Sequence, residues 1–150
     1  MKLTKLLERL KYEVLQGKDD IEITELVNDS RKVTDGSVFV CISGAVVDGH
    51  DFVSDVVEKG AIAVIVEKEV EAPEHVTVIK VEDTRYALAL TSAAYFGYPA
   101  DELKVIGITG TKGKTTTSFM LKRILEKQGK KVGLIGTIAI YIGDQKVKNS

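Results

Sequence analysis

A glycine- and lysine-rich loop lies between an apolar, β-branched run and an amphipathic helical pattern, and this order restricts the fold more than any other feature of the sequence. The run is residues 104–109, the loop is 110–116, and the helical pattern covers 114–127. A second apolar run follows Gly129 at residues 132–136. Parallel strands need a crossover of about this length between them. We therefore predict a β-α-β unit that opens a parallel sheet.

The loop predicts a site for the phosphates of a nucleoside triphosphate. Its glycines let successive backbone N–H groups point at phosphate oxygens, and the amino terminus of the following helix adds partial positive charge. Lys114 is expected to contact the β- and γ-phosphates, and the Thr115 hydroxyl to coordinate the Mg²⁺ that bridges them. The strict P-loop pattern would place its first glycine at Ile108, so the flanking strand and helix support the prediction, and the alternative is an ordinary glycine-rich turn. The predicted phosphate-binding residues are Gly110, Thr111, Lys112, Gly113, Lys114, Thr115 and Thr116.

Charge is divided unevenly along the chain, although the formal net charge is only −1. Residues 1–102 carry 11 basic and 20 acidic side chains, whereas residues 103–150 carry 10 basic and 2 acidic ones. Such a split indicates two units with different partners, the second of them facing an anion. The alternative is that the lysines of the second segment only solvate one face of a helix.

The composition, 44% hydrophobic and 29% charged over 150 residues, is that of a globular protein and excludes a disordered or fibrous chain. No apolar run approaches the roughly 18 residues of a transmembrane helix, and the charged start is not a signal peptide. A single cysteine, Cys41, excludes an intrachain disulfide framework and fits a reducing compartment. We expect a cytoplasmic protein without membrane insertion.

Short apolar runs separated by turn residues make up the first hundred residues, as in a mixed α/β domain. The predicted strands are residues 21–24, 38–42, 61–66 and 76–81. The predicted helices contain Leu3 to Leu10, Phe52 to a stop at Gly60, and a stretch from the N-cap Asp83 to Phe96. We predict a first domain at residues 1–99, with a linker near residues 98–102, and a second domain at 100–150 that is only begun. The chain is then expected to be a fragment of a larger protein or to be completed by another polypeptide.

Residues 109–116 resemble the ATP loop of the Mur ligases, usually T-G-T-N-G-K-T-T, with Lys112 in place of asparagine. The first domain also resembles this family, at residues 29–31, 36–40, 44, 48–52 and 60–64. Residues 133–137 and 147–150 resemble the stretch that leads into the N-T-T-P loop of the family, with Ser150 in place of threonine. The likeness favours the MurE branch, which adds the third residue of the peptidoglycan stem. The alternatives are the MurF branch of the same pathway and a non-catalytic nucleotide-binding module.

The resemblance implies an α/β protein: a mixed α/β uridine-nucleotide-binding domain, then the first β-α-β unit of a parallel-sheet ATPase domain. It implies ATP and Mg²⁺ at the loop, with Lys114 and Thr115 as catalytic residues. It implies ligation of a diamino acid, meso-diaminopimelate or L-lysine, to UDP-N-acetylmuramoyl-L-alanyl-D-glutamate through an acyl phosphate. A monomer that binds no nucleic acid is expected, and the 150 residues alone are expected not to ligate. The implied substrate contacts are Asn28 and Ser30 for the uridine nucleotide, Ala45, Val46 and Val47 for the uracil end, and Asn149 and Ser150 for the muramoyl side.

Overall fold

Four parallel strands and one antiparallel edge strand form the sheet of the first of two units, Met1–Leu103. The order is β1-β5-β4-β3-β2, and β1 is antiparallel to β5. The strands are β1 (Glu13–Gln16), β2 (Leu26–Val27), β3 (Ser37–Val40), β4 (Ala61–Val66) and β5 (Thr77–Lys80). This computed structural model describes residues 1–149, without the side chains of Lys148 and Asn149.

Helices cover both faces of this sheet, and the alternation of side chains along the strands divides the core into two layers. Val38 and Val40 lie in one layer with leucines of α1 (Leu3–Leu6) and alanines of α3 (Thr84–Tyr95). Phe39 and Val64 lie in the other layer with valines of α2 (Val53–Glu58). Because both faces are covered, β3 and most of β4 are buried, which explains their continuous apolar sequences.

The carboxyl ends of the parallel strands lie at one edge of the sheet, where α/β proteins commonly bind ligands. A turn containing Ser30 follows β2, and the loop of residues 43–48 follows β3. Glu67 follows β4 directly, and Asp83 follows β5 as the N-cap of α3. The fold therefore gathers polar segments that are far apart in the sequence.

The end of the first unit is a helical turn, α4 (Pro99–Glu102), instead of the free linker predicted for residues 98–102. Tyr98 begins it in the left-handed conformation, with a φ of 55°. The Arg9 guanidinium lies 3.6 Å from the centre of the Tyr98 ring and donates to the Asp101 carboxylate at 2.7 Å. These contacts attach the segment to the region just after α1.

The second unit begins at Lys104 and contains a helix and an antiparallel sheet. Helix α5 (Lys114–Lys127) begins and ends where the sequence predicts, and Gly129 follows it with a φ of 76°. The strands β6 (Gly133–Ile135), β7 (Ala139–Ile142) and β8 (Gln145–Asn149) follow in that spatial order. The Phe119 and Tyr141 rings meet edge to face at 5.5 Å, so that α5 packs on the sheet.

The α/β class predicted from the sequence is confirmed, but the predicted parallel β-α-β unit is not formed. Residues 104–109 carry no helix or strand, and β6 pairs with β7 in antiparallel orientation. A parallel strand needs neighbours that hydrogen-bond to it and layers that cover it. Among the described residues no strand pairs with 104–109, and Val105 is 73% exposed.

Residues 21–24 were also expected to form a strand, and that prediction is wrong. Glu22 makes an isolated bridge with Lys2, and Ile23 is buried against the leucines of α1. Apolar and polar residues therefore do alternate here, but the apolar side chains pack a connecting segment against the core and add no strand to the sheet.

None of the helices within residues 1–149 combines the length and the apolar character that a membrane span requires.

Candidate functional site

The phosphate loop, residues 110–116, has the backbone of a glycine-dependent turn. Gly113 lies in the left-handed region with a φ of 79°, and Gly110 has a φ of 147°. No atom lies within 4 Å of the position that a Cβ at Gly113 would occupy, so the backbone angle and not crowding disfavours a side chain there. Helix α5 begins at the next residue.

The amino terminus of α5 has no side-chain cap. Gly113 is the N-cap residue, and its carbonyl accepts the hydrogen bond of Thr117 N–H at 2.9 Å. The N–H groups of the first turn of a helix have no acceptor within the helix and attract anions. The loop and the helix start therefore provide backbone donors suited to a phosphate.

Positive charge at the loop is not balanced by nearby acids. The Lys114 ammonium donates to the Gly110 carbonyl at 2.5 Å, and both Lys112 and Lys114 are exposed. Among the described residues, neither lysine forms an ion pair with a carboxylate. The two acids of this unit pair elsewhere, Glu126 with Lys122 and Asp144 with Arg123. Both ammonium groups of the loop are thus available to an anionic ligand.

The turn after β2 is stabilised by a carboxylate and an arginine. Asp29 accepts hydrogen bonds from the Arg31 backbone N–H at 3.1 Å and from its guanidinium at 2.8 and 2.9 Å. These bonds lower the pKa of Asp29 to about 2. The Ser30 carbonyl accepts from the Lys59 ammonium at 3.1 Å. Ser30 is half-buried and Asn28 is exposed, so both predicted nucleotide contacts lie on a fixed, accessible turn.

The loop after β3, residues 43–48, presents small apolar side chains to solvent. Gly44 N–H donates to the Val47 carbonyl at 2.9 Å, and a Cβ at Gly44 would lie 2.7 Å from that carbonyl oxygen. Ala45, Val46 and Val47 are exposed, Val46 at 95%. An exposed apolar tip on an otherwise polar edge is typical of a contact surface for a ligand.

A network of polar side chains that was not predicted from the sequence supports this loop. Asp48 accepts from the Lys68 ammonium at 2.6 Å and from the His50 backbone N–H and Nδ1 at 3.0 and 2.6 Å. The Lys68 ammonium, followed by the two His50 groups, holds the pKa of Asp48 well below its usual range. His50 is buried in a 3-10 turn, and its Nε2 accepts from Glu67 N–H at 3.1 Å.

Glu67 is the second carboxylate of this network. It accepts from Ser43 Oγ at 2.9 Å, from Thr84 N–H at 3.1 Å and from Thr84 Oγ1 at 3.0 Å. The Thr84 backbone bond, followed by the Ser43 hydroxyl, lowers the pKa of Glu67. The Arg85 guanidinium donates to the Ser43 carbonyl at 2.7 Å. Only the positions of these residues could have indicated the network from the sequence, since each residue follows or begins an element at the carboxyl edge of the sheet.

The residues predicted from the sequence fall into two groups in the structure. Asn28, Ser30 and residues 45–47 follow the neighbouring strands β2 and β3 at one edge of the first sheet. The phosphate loop belongs to the second unit. Asn149 lies at the end of β8 without a described side chain, and Ser150 lies outside the described residues. Over residues 1–149, no group of three or more histidine, cysteine or acidic side chains forms a metal site.

Comparison with protein-family profiles gives two matches that together span most of the chain. The profile described as "Mur ligase family, catalytic domain" matches residues 22–98, more than half of the sequence. The profile described as "Mur ligase middle domain" matches residues 108–150. The two matches fall on opposite sides of Leu103, where the structure divides.

A curated relative from Clostridium perfringens (strain 13 / Type A) is 52% identical over 147 residues, which are 98% of this chain and 30% of the relative. It is named UDP-N-acetylmuramoyl-L-alanyl-D-glutamate--2,6-diaminopimelate ligase. The chain therefore spans less than a third of the length of such relatives.

Solved structures show the same likeness. The MurF ligase of Thermotoga maritima in complex with ADP is 31% identical, with a TM-score of 0.52 over 75% of this chain and 26% of that protein. A structure of UDP-N-acetylmuramoyl-L-alanyl-D-glutamate--2,6-diaminopimelate ligase has a TM-score of 0.73 over 97% of this chain and 29% of that one. At 22% identity, the second likeness supports the fold alone.

Proposed function

The chain belongs to the Mur ligase family, and on that premise we propose that it supplies the uridine-nucleotide-binding domain and the ATP loop of a MurE ligase. The proposed reaction joins 2,6-diaminopimelate to UDP-N-acetylmuramoyl-L-alanyl-D-glutamate at the expense of ATP. This choice of substrates is supported by relatives that bear the name of this ligase and are about half identical to nearly the whole chain. The proposed location is the cytoplasm.

The observation that carries the proposal is the phosphate loop. Its uncapped helix start and its two lysines, which have no carboxylate partner among the residues that the structure describes, form a site for the polyphosphate of ATP. Lys114 is proposed to move from the Gly110 carbonyl to the β- and γ-phosphates, where its charge stabilises the charge of the transferring group. The likeness to a MurF structure holding ADP is consistent with this assignment.

The proposed chemistry proceeds in two steps. The γ-phosphoryl group passes to the terminal carboxylate of the dipeptide substrate, which gives an acyl phosphate and ADP. The amine of the diamino acid then attacks the acyl carbon, the C–N bond forms, and inorganic phosphate leaves. The role of this chain is to position the phosphates and stabilise their charge, because phosphoryl transfer requires little covalent participation by the protein.

Magnesium fits the loop through a single side chain. Thr115 is half-buried in the first turn of α5, and its hydroxyl is the type of oxygen ligand that Mg²⁺ accepts beside phosphate oxygens and water. When bound, the ion would neutralise part of the negative charge of the phosphates. Thr115 is the residue proposed to hold it.

The carboxyl edge of the first sheet is the proposed site for the uridine nucleotide. Ser30 and Asn28 lie on the turn that Asp29 fixes, and residues 45–47 lie at the end of the adjacent strand. An accessible polar turn beside an exposed apolar tip suits a planar, partly polar base. Asn149 and Ser150 are proposed to contact the muramoyl side.

Isothermal titration of the 150-residue chain tests the ATP part of this proposal. ATP with excess Mg²⁺ should bind at one site, and Lys114→Ala should weaken the affinity about 10- to 100-fold, the range for a lost hydrogen bond to a charged group. Lys127→Ala, at the opposite end of α5, is the matched control and should leave the affinity unchanged. Equal affinities for all three chains would show that the loop does not bind phosphate.

A further inference from the structure

We propose that Glu67 and Asp48 are positioning residues that hold the loop of residues 43–48 in the shape that receives the uridine nucleotide. The inference deepens the proposed function and rests on it. Neither carboxylate belongs to the residues predicted to contact the nucleotide. Glu67 lies outside the loop and contacts its first residue, Ser43, whereas Asp48 is the last residue of the loop.

The first anchor of the loop is Glu67. Its carboxylate accepts the Ser43 hydroxyl at 2.9 Å and the Thr84 N–H and Oγ1 at 3.1 and 3.0 Å. It therefore joins the loop after β3 to Thr84, the first residue of α3, which lies far from the loop in the sequence. The Arg85 guanidinium adds a bond of 2.7 Å to the Ser43 carbonyl. Because these bonds involve charged groups, each is expected to be stronger than a neutral hydrogen bond.

The second anchor is Asp48, at the other end of the loop. Ser43 and Asp48 face each other in an isolated antiparallel bridge, so that the two ends of the loop meet. Asp48 is held by the Lys68 ammonium and by His50. The His50 ring is buried and also accepts the backbone N–H of Glu67, so it connects both anchors through one fixed side chain.

The tip of the loop depends on these anchors because the core does not hold it. Val46 is 95% exposed and Val47 is 55% exposed. The Gly44 N–H bond to the Val47 carbonyl closes the turn internally. The orientation of the tip therefore follows from where its two ends are fixed. Loss of an anchor should free the tip before it disturbs the apolar core, and the free energy of ordering the tip would then oppose ligand binding.

Isothermal titration of the 150-residue chain with UDP tests this inference at a temperature where every variant is folded. Glu67→Ala should raise the Kd for UDP about tenfold or more, the loss expected for a hydrogen bond to a charged group. Glu67→Gln retains an acceptor for Thr84 and should recover part of the affinity. Asp20→Asn is the control, because Asp20 forms an exposed ion pair with Lys2 outside this network.

Thermal unfolding of the same variants separates positioning from simple stability. A merely structural role would lower the Tm of Glu67→Ala and leave the Kd for UDP unchanged, and that result would overturn the inference. Ser43→Ala removes the loop's side-chain bonds to both anchors, at 2.9 Å to Glu67 and 3.4 Å to Asp48, and leaves the Thr84 bonds of Glu67 in place. It tests the same point should Glu67→Ala fail to fold, and it should weaken UDP binding several-fold. Absence of UDP binding by the unmodified chain would overturn the proposed uridine site, and this inference with it.

Discussion

Gly113 has a φ of 79° and open space where a Cβ would lie, so backbone conformation alone requires glycine there. Lys112 and Lys114 beside it are exposed and have no carboxylate partner in the described chain. These requirements involve neighbouring residues only, and for that reason a short sequence pattern located the loop. A pattern of this kind predicts a phosphate site but carries no information about what else the protein binds.

Asp29 is the residue whose ionisation should be most directly observable. Arg31 lowers its pKa to about 2, against about 3.9 for an unperturbed aspartate. A depressed pKa in the folded state means that this interaction stabilises the fold above about pH 4, and that its contribution is lost as the pH falls toward 2. Carbon-detected nuclear magnetic resonance from pH 1.5 to 6 should show the Asp29 carboxyl titrating near 2.

Arg31→Gln should return the pKa of Asp29 toward its usual value, because it removes the guanidinium hydrogen bonds that are the largest cause of the shift. Lys32→Gln is the control and should change the pKa less, since Lys32 acts only through space. A carboxyl that titrates near 4 in the unmodified chain would contradict the arrangement of this turn.

At the scale of elements, helix α3 depends on a cap that the sequence predicted. Asp83 accepts from the backbone N–H groups of Arg85 and Tyr86 at 2.8 and 3.0 Å. Asp83→Ala should lower the free energy of unfolding by about 1 kcal/mol, the usual cost of losing such a cap. Urea denaturation measures this difference, and Asp83→Asn, which can still cap, should cost less. Equal losses for both variants would show that charge, not capping, is what the aspartate contributes.

Helices and strands were predictable where the local sequence alone determines their conformation. Strand β4 and helix α5 have the predicted bounds, because a buried apolar strand and a helix that ends just before a glycine each have a distinctive local pattern. Residues 104–109 have the composition of a strand, but a strand also needs a neighbour, and that depends on the rest of the sheet. The hairpin of β7 and β8 was not predicted, although Gly143, with a φ of 57°, lies at its turn.

At the scale of the whole molecule, the two units carry opposite charge. The structure divides after Leu103, and the acidic excess falls on the first unit while the basic excess falls on the second. The second unit contains the phosphate loop, so its positive charge is consistent with attraction of a polyphosphate. The near-zero net charge of the chain conceals this division.

The candidate site was only partly predictable, because some of its residues are contiguous in the sequence and others are far apart. The phosphate loop is contiguous, whereas the support of the loop at residues 43–48 comes from three separate segments, 48–50, 67–68 and 84–85. Glu67 lies 17 residues from both His50 and Thr84, and only the parallel order of the strands brings them together. Predicting such a network requires the sheet topology, which the apolar runs alone do not determine.

The central claim is that this chain has two distinct nucleotide sites, one on each unit. Nuclear magnetic resonance of the ¹⁵N-labelled chain tests it by separate titrations with UDP-N-acetylmuramoyl-L-alanyl-D-glutamate and with ATP and Mg²⁺. We predict that the uridine nucleotide shifts the amide signals of residues 28–30 and 45–47, whereas ATP shifts those of residues 110–116. Absence of shifts at 28–30 and 45–47 with the uridine nucleotide, or shifts of the same residues by both ligands, would contradict the account.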